Sequence, residues 1–347
     1  MQLRSAWRTV LFALLAAAAA SFALALQTAT AGGSSRAGTG SAERAVVDVM
    51  TTLGLEGSAA AGTGIVIDPS GLVLTNNHVI KGATKIRVRD VGNGRTYSAT
   101  VLGYDVSEDI ALLKLANASH LPTAPIRRSA VRVGESVTAI GNAGGVGGRP
   151  SSAPGTVTAV GRSITASDGQ GGLERLTRLI EIDAALQPGD SGGPLVDAAG
   201  KVVGIDTAAS VGFRFEDAGG EGYAIPIGQA LAIAKEIRAG HASAKIHIGP
   251  TAMLGVRVQS PYDVGGFATG YGGAAVVGVV PGSPADRAGI SVGDLIISLH
   301  GKAVSTPDTL SATMLRLAPD TTVAIRWLDE FGTAYSASVR LAAGPPQ

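Results

Sequence analysis

The feature that most limits what this chain can become is the spacing of its short β-forming runs. Segments rich in Val, Ile and Thr recur at residues 85–90, 96–103, 110–115, 136–140, 155–160, 179–183, 202–206 and 222–225. Gly, Pro and Asn separate them, and strands at this spacing predict a barrel or sandwich rather than alternating strand–helix units. Asp68-Pro69-Ser70-Gly71 lies between the apolar runs 64–67 and 72–75. Proline at the second turn position and glycine at the fourth suit a type I turn, so a hairpin is expected there. The one good helix before residue 240 spans 227–238, with Ile227, Ala230, Leu231, Ala234 and Ile237 on one face and Gly240 as its stop.

That helix closes a first domain, residues 45–240, and residues 241–250 read as a linker. A second unit, 251–347, has its own pattern. A strand at 276–280 leads to Ser283-Pro284, an N-cap with proline at the first helical position, and Gly289 ends that helix. A strand at 294–299 meets a His300-Gly301 turn. Thr306-Pro307 then caps a helix with Leu310, Met314 and Leu317 at helical spacing, and 323–328 and 336–341 form a hairpin. This is a small α+β module. Two domains agree with the 347-residue length.

At the other end, Arg4 and Arg8 precede an uncharged run at 10–26 and an Ala29-Thr30-Ala31 cleavage pattern. Residues 1–31 therefore read as a secretory signal peptide, with an N-terminal membrane anchor through 10–26 as the alternative. A Gly/Ser-rich flexible leader, 32–44, follows. The chain is expected to be secreted or extracytoplasmic, with a membrane as partner only if the N-terminal segment stays uncleaved. It has no cysteine, so an exported fold must be stabilised by core size rather than disulfides. A net charge of +1 gives no basic face for nucleic acid.

Chemistry concentrates at Gln187-Pro188-Gly189-Asp190-Ser191-Gly192-Gly193-Pro194. Glycine serves where the backbone needs φ > 0 or a close approach, so this stretch suggests a rigid bend presenting the Ser191 hydroxyl and adjacent amides. An ordinary turn would use the same residues. A serine nucleophile needs a base, and the base an orienting group. Of five histidines, His241 and His247 fall in the linker, His300 in a turn and His120 in a loop. His78 ends a hydrophobic strand after two asparagines, where it is either a general base or a satisfied core histidine. Asp109 stands directly before the apolar run 110–115, as an orienting acid or a solvated strand start. The order His78, Asp109, Ser191 is one of three known for the same catalytic geometry and belongs to two-barrel proteases. The G-x-S-x-G reading of 189–193 would need a helix after the serine and a histidine last in the chain, and Gly192-Gly193-Pro194 starts a helix poorly. The glycines at 144–148 lack a P-loop or dinucleotide pattern.

Three stretches, 63–67 with 74–79, 109–115 and 189–194, together resemble the exported bacterial HtrA-type trypsin-like serine proteases, nearest in pattern to the actinobacterial PepA-type members. The resemblance covers most of 45–345. It implies a mainly β chymotrypsin-like double β-barrel followed by a PDZ domain. It further implies His78 as general base and acid, Asp109 holding the imidazole tautomer, and Ser191 as nucleophile. The backbone amides of Gly189 and Ser191 would form the oxyanion hole. Ala185, Thr207 and Ala208 would border the primary specificity pocket and, being uncharged, favour small or medium apolar side chains. In the second domain Leu254, Gly255 and Val256 resemble a carboxylate-binding loop, with Leu310 and Met314 lining the pocket or simply packing in the core. Partners are then protein or peptide substrates and peptide C-termini, with no metal or organic cofactor. The implied function is hydrolysis of peptide bonds in proteins, including misfolded ones. The alternative is a PDZ-centred, chaperone-like binding protein with weak or regulated proteolysis. Two departures stand out. Ala143 occupies a position where the family usually has serine, and residues 32–57 lack the aromatics with which trimeric members pack. Asp190 has no evident partner.

Overall fold

The computed structural model describes residues 36–167, 173–207, 214–215, 222–263 and 272–347. A helix, α1 (Arg36–Glu43), stands where a flexible leader is expected; the Thr39 hydroxyl donates to Glu43 Oε1 at 2.8 Å across one turn, and Ala42 is buried. The chain then runs through β1 (Val46–Leu53), β2 (Ser58–Asp68), β3 (Leu72–Thr75), α2 (Asn77–Ile80), β4 (Lys85–Asp90), β5 (Thr96–Asp105) and β6 (Ile110–Leu115). Antiparallel pairing in the order β5-β4-β1-β2-β3-β6, with β6 returning to β5, closes these six strands into a barrel. The Asp68–Gly71 turn is as read: the Gly71 amide donates to Asp68 O at 2.9 Å, with φ +89° at Gly71.

A second barrel follows from β7 (Ser136–Gly141), β8 (Ser151–Ser167), β9 (Leu173–Ile182), β10 (Pro194–Asp197), β11 (Val202–Thr207), β12 (Arg214–Phe215) and β13 (Gly222–Pro226). The order β8-β7-β10-β11-β13-β9 closes through β8–β9, and β12 hangs on the outside of β8. Closure removes the unpaired strand edges that an open sheet would expose. Val137, Val157, Ile182, Leu195 and Val203 fill this barrel, while Ile65, Leu74, Tyr104 and Leu112 belong to a larger core that also takes in Ile140, Val196 and Ile205 of the second barrel. The two barrels therefore share buried apolar surface along their junction.

Helix α3 (Ile227–Arg238) packs on this core through Ile227, Ala230, Ile233, Ala234 and Ile237. Ile233 replaces Leu231 on the fully buried face. The expected linker is in part a strand: β14 (Ile246–Ile248) adds to the first barrel, pairing with Gly103–Asp105 of β5. With this strand in place the chain after α3 is fastened to the first barrel before it enters the next domain.

The C-terminal domain consists of β15 (Thr251–Met253), β16 (Val256–Gln259), β17 (Ala274–Val279), α4 (Pro284–Arg287), β18 (Leu295–Leu299), β19 (Lys302–Ala303), α5 (Pro307–Met314), β20 (Thr322–Leu328), β21 (Ala334–Arg340) and β22 (Ala342–Gly344). One sheet runs β16-β17-β18-β20-β21 with β19 on β18, and β15 pairs with β22. Its separate core includes Val276, Ile296, Leu310, Ile325 and Trp327. Both helix starts are capped as expected. The Ser283 hydroxyl accepts from the Asp286 amide, and that of Thr306 from Thr309, both at 3.2 Å. Among the described residues strand β16 lies at the end of its sheet and pairs only with β17. Among the described residues no helix is long and apolar enough to cross a membrane.

Candidate active site

Strand β3 ends at Thr75, and the chain turns through Asn76 into the single-turn helix α2. His78 is thus carried on a helix just after a strand, not on the strand end itself. Its Nδ1 lies 2.9 Å from Asp109 Oδ2, and its backbone amide donates to Asp109 Oδ1 at 2.9 Å. An ionised carboxylate only accepts, so the pairing places the imidazole proton on Nδ1. Asn76 Nδ2 donates to Asp109 O at 3.0 Å. The Thr207 hydroxyl adds a contact to Asp109 Oδ2 at 3.3 Å. Asp109 is fully buried and holds φ +52°. A non-glycine residue in that region costs about 1–3 kcal/mol and persists only where its surroundings over-determine it. Here both carboxylate oxygens and the carbonyl are tied down.

Ser191 comes from the second barrel and faces the first, its carbonyl accepting from the Thr63 amide of β2 at 2.8 Å. His78, Gly189 and Ser191 line one cleft. Residues Gln187–Asp190 form a turn closed by Asp190 N to Gln187 O at 3.0 Å, with Gly189 at φ +102°. Proline second and a positive-φ glycine third are the requirements of a type II turn. The Pro188 carbonyl accepts from Gly144 N at 2.7 Å. In a trans peptide the next N–H points the opposite way, so the Gly189 amide is turned away from the Gly144 loop. A side chain at 189 would collide with the Asn142 carbonyl, and one at 192 with the Thr63 carbonyl. The amides of Gly192 and Gly193 are committed to Asp206 O and Asp190 O at 2.9 Å each.

Asp190 finds its partners inside the second barrel. Its Oδ2 accepts from the Gln187 amide at 2.9 Å, and Oδ1 lies 3.1 Å from the Ser151 hydroxyl. Burial nevertheless raises its carboxyl above the usual range. Asp206 on β11 is fully buried, and neither carboxylate oxygen has a hydrogen-bond partner among the described residues. Burial first, then the charge of Asp190, pushes its carboxyl well up. Among the described residues no group of three or more His, Asp or Glu side chains is placed to hold a metal ion.

The structure thus brings together His78, Asp109, Gly189 and Ser191. Thr207, expected at the specificity pocket, instead buries its side chain and turns the hydroxyl to Asp109. Ala185 is exposed and does not line the cleft with His78 and Ser191. Ala208 lies outside the described residues. In the C-terminal domain Leu254, Gly255, Val256, Leu310 and Met314 line a groove between β16 and α5 that opens into the same cleft. Gly255 has φ +90°, and a side chain there would strike Ser283. Leu310 and Met314 serve both roles considered: they belong to the domain core and reach the groove. Sequence reading did not single out Thr63, whose hydroxyl donates to Gly189 O at 2.7 Å and accepts from Asn142 N at 2.9 Å. Its signal was present only as the first residue of the run 63–67.

Comparison with known proteins identifies the two domains. Residues 62–205 match the trypsin-like peptidase domain and residues 252–328 the PDZ domain. The serine protease PepD of Mycobacterium tuberculosis is 33% identical over 317 residues, covering 85% of this chain and 63% of that protein. The periplasmic serine endoprotease DegP of Escherichia coli K12 is 36% identical over 259 residues, covering 73% and 51%. A solved structure of the HtrA-type protease AlgW with a tripeptide aligns with a TM-score of 0.50 and 32% identity, over 89% of this chain and 96% of that one. The chain spans about half to three fifths of the length of the curated relatives it matches.

Proposed function

Because the chain belongs to the HtrA-type family of trypsin-like serine proteases with a PDZ domain, we propose that it is a serine endopeptidase that cleaves peptide bonds through His78, Asp109 and Ser191. The carrying observation is the 2.9 Å imidazole–carboxylate pair in the cleft that Ser191 also lines. His78 Nε2 takes the proton of the Ser191 hydroxyl as Oγ attacks the scissile carbonyl carbon. Asp109 stabilises the imidazolium without taking its proton. The Gly189 and Ser191 amides receive the developing oxyanion, where one lost donor costs about 2.7–4 kcal/mol. The imidazolium then protonates the leaving amine, and the same base activates water to hydrolyse the acyl-enzyme.

The groove between β16 and α5 supports binding of extended peptides by their C-termini: an open strand edge offers main-chain hydrogen bonds, and Leu310 and Met314 offer an apolar seat. The residues expected at the primary pocket carry no charge, which supports a preference for small or medium apolar side chains before the scissile bond; this rests on Thr207 and Ala208, because Ala185 is exposed outside the cleft. Action outside the cytoplasm follows from the signal-like residues 1–31 and the periplasmic relatives.

Casein cleavage by the protein and by Ser191→Ala tests the reading. Loss of cleavage and of fluorophosphonate labelling in the variant is expected, whereas equal activity in both would remove Ser191 from the mechanism. A peptide library cut mainly after Lys or Arg would overturn the pocket assignment. Removal of 251–347 should abolish capture of peptides with free C-termini.

A further inference from the structure

The last residues of the sequence are docked beside the helix that carries His78. After β22 the chain leaves the C-terminal domain and crosses to the first barrel. Asn77 Nδ2 donates to the main-chain oxygen of Gln347 at 3.0 Å, and the Gly82 amide donates to Pro346 O at 2.8 Å. These two contacts grip the segment at both ends of α2, which holds only Asn77–Ile80. The Gln347 amide in turn approaches the Tyr104 hydroxyl at 3.3 Å, and that hydroxyl pairs with Thr251 Oγ1 at 3.0 Å. Tyr104 and Asn77 are both buried, and Pro345, Pro346 and Gln347 line the cleft with His78.

A four-residue helix cannot hold itself, since nucleating a helix fixes several dihedrals for one internal bond. Its stability has to come from outside: Gln347 supplies one contact to Asn77 in the helix, and Pro346 one to Gly82, two residues past its end. Two consecutive prolines fix φ and stiffen the segment, so little conformational freedom is lost when it docks. The side chain of the residue next to His78 is thereby tied to the far end of the PDZ domain.

We propose that residues 345–347 form a strap which positions the His78 helix, acting through Asn77. The strap rests on the protease reading given above for its kinetic consequence, but not for its existence. Asn77 touches neither substrate nor the reacting atoms; it is a positioning residue. A displaced imidazole costs turnover rather than binding, because small misplacements act on the transition state.

The test compares the intact chain with a deletion of 345–347, with Asn77→Ala and with the two combined, by casein-derived fluorogenic turnover and thermal unfolding. The deletion and Asn77→Ala should each lower kcat roughly tenfold with KM held within about twofold. The combination should lose no more than the deletion alone, as expected for one unit. A free Ala-Gly-Pro-Pro-Gln peptide at millimolar concentration should partly restore the deletion but not Asn77→Ala. Unchanged kcat, losses that multiply, or a loss that follows the melting temperature would each overturn the strap. The His78 ring nitrogen NMR signals, read in a Ser191→Ala background, should shift on deletion whether or not the protein proves active. Unmoved signals would overturn the strap, and an inactive intact chain with moved signals would overturn the protease reading alone.

Discussion

Asp206 is a buried carboxyl without a hydrogen-bonded cation among the described residues, on a strand whose backbone bonds to Gly192 and Gly193 beside Ser191. Burial keeps its proton on to higher pH in the folded chain than in the unfolded one, so the folded state binds more protons. Its contribution to stability is complete below the unfolded Asp range of about 3.9 and is lost as pH rises through the elevated folded range. Asp190, raised by burial in the same way, adds to the trend. Urea unfolding from pH 4 to pH 8 should therefore show declining stability, and Asp206→Asn should flatten that decline and be the more stable protein at the upper end. A flat wild-type profile would contradict this. Thr63→Val removes both hydrogen bonds that hold Gly189 O and Asn142 N. A drop in kcat of about ten- to hundredfold is expected, with Thr63→Ser largely restoring it, since oxyanion donors work only when pre-positioned. The order His78, Asp109, Ser191 was legible because strand ends and a glycine bend are local. Thr207 and Ser151 were not: each meets its carboxylate across 98 and 39 residues of chain, through contacts that only barrel assembly creates.

At the scale of elements, local chemistry and structure agree wherever a motif is self-contained. The Asp68–Gly71 hairpin turn, helix 227–238 and the two Ser/Thr-Pro caps form where turn and capping residues place them. Ser283→Ala removes the α4 cap and a 3.4 Å contact to Gly255 O, and should cost the C-terminal domain about 1 kcal/mol in denaturant unfolding. No change would mean that water replaces the hydroxyl fully. Two of the short elements that escaped sequence reading did so for the same reason. Strand β14 and helix α2 span only Ile246–Ile248 and Asn77–Ile80, too short for any periodicity to register. Both owe their existence to a neighbour: β14 to the edge of β5, α2 to Asp109 and residues 346–347.

Across the whole molecule, the two folding units recognisable in sequence are less separate than a linker implies. Strand β14 fastens the connection, the His247 ring reaches Leu315 O at 2.8 Å and Pro250 O at 3.2 Å, and Tyr104 meets Thr251. Ending the chain at residue 250 leaves β14 and the His247–Pro250 contact in place but removes the His247–Leu315 and Tyr104–Thr251 contacts and the docked segment. At about 1 kcal/mol for each lost hydrogen bond, the two barrels alone should melt about 10–20 °C below the intact chain in calorimetry. Equal melting temperatures would show that the domains are mechanically independent.

The left-handed backbone at Asp109 bears on the fate of such a protein under relaxed selection. Glycine would occupy φ +52° at lower energy than aspartate, so the chain is held above the most easily folded backbone at that position. A chain that kept only the peptide groove could relax the backbone there, at the cost of the contacts by which Asp109 holds the His78 helix. An aspartate at so costly a position is what the proposed triad requires, and its replacement would trade the orienting carboxylate for an easier backbone.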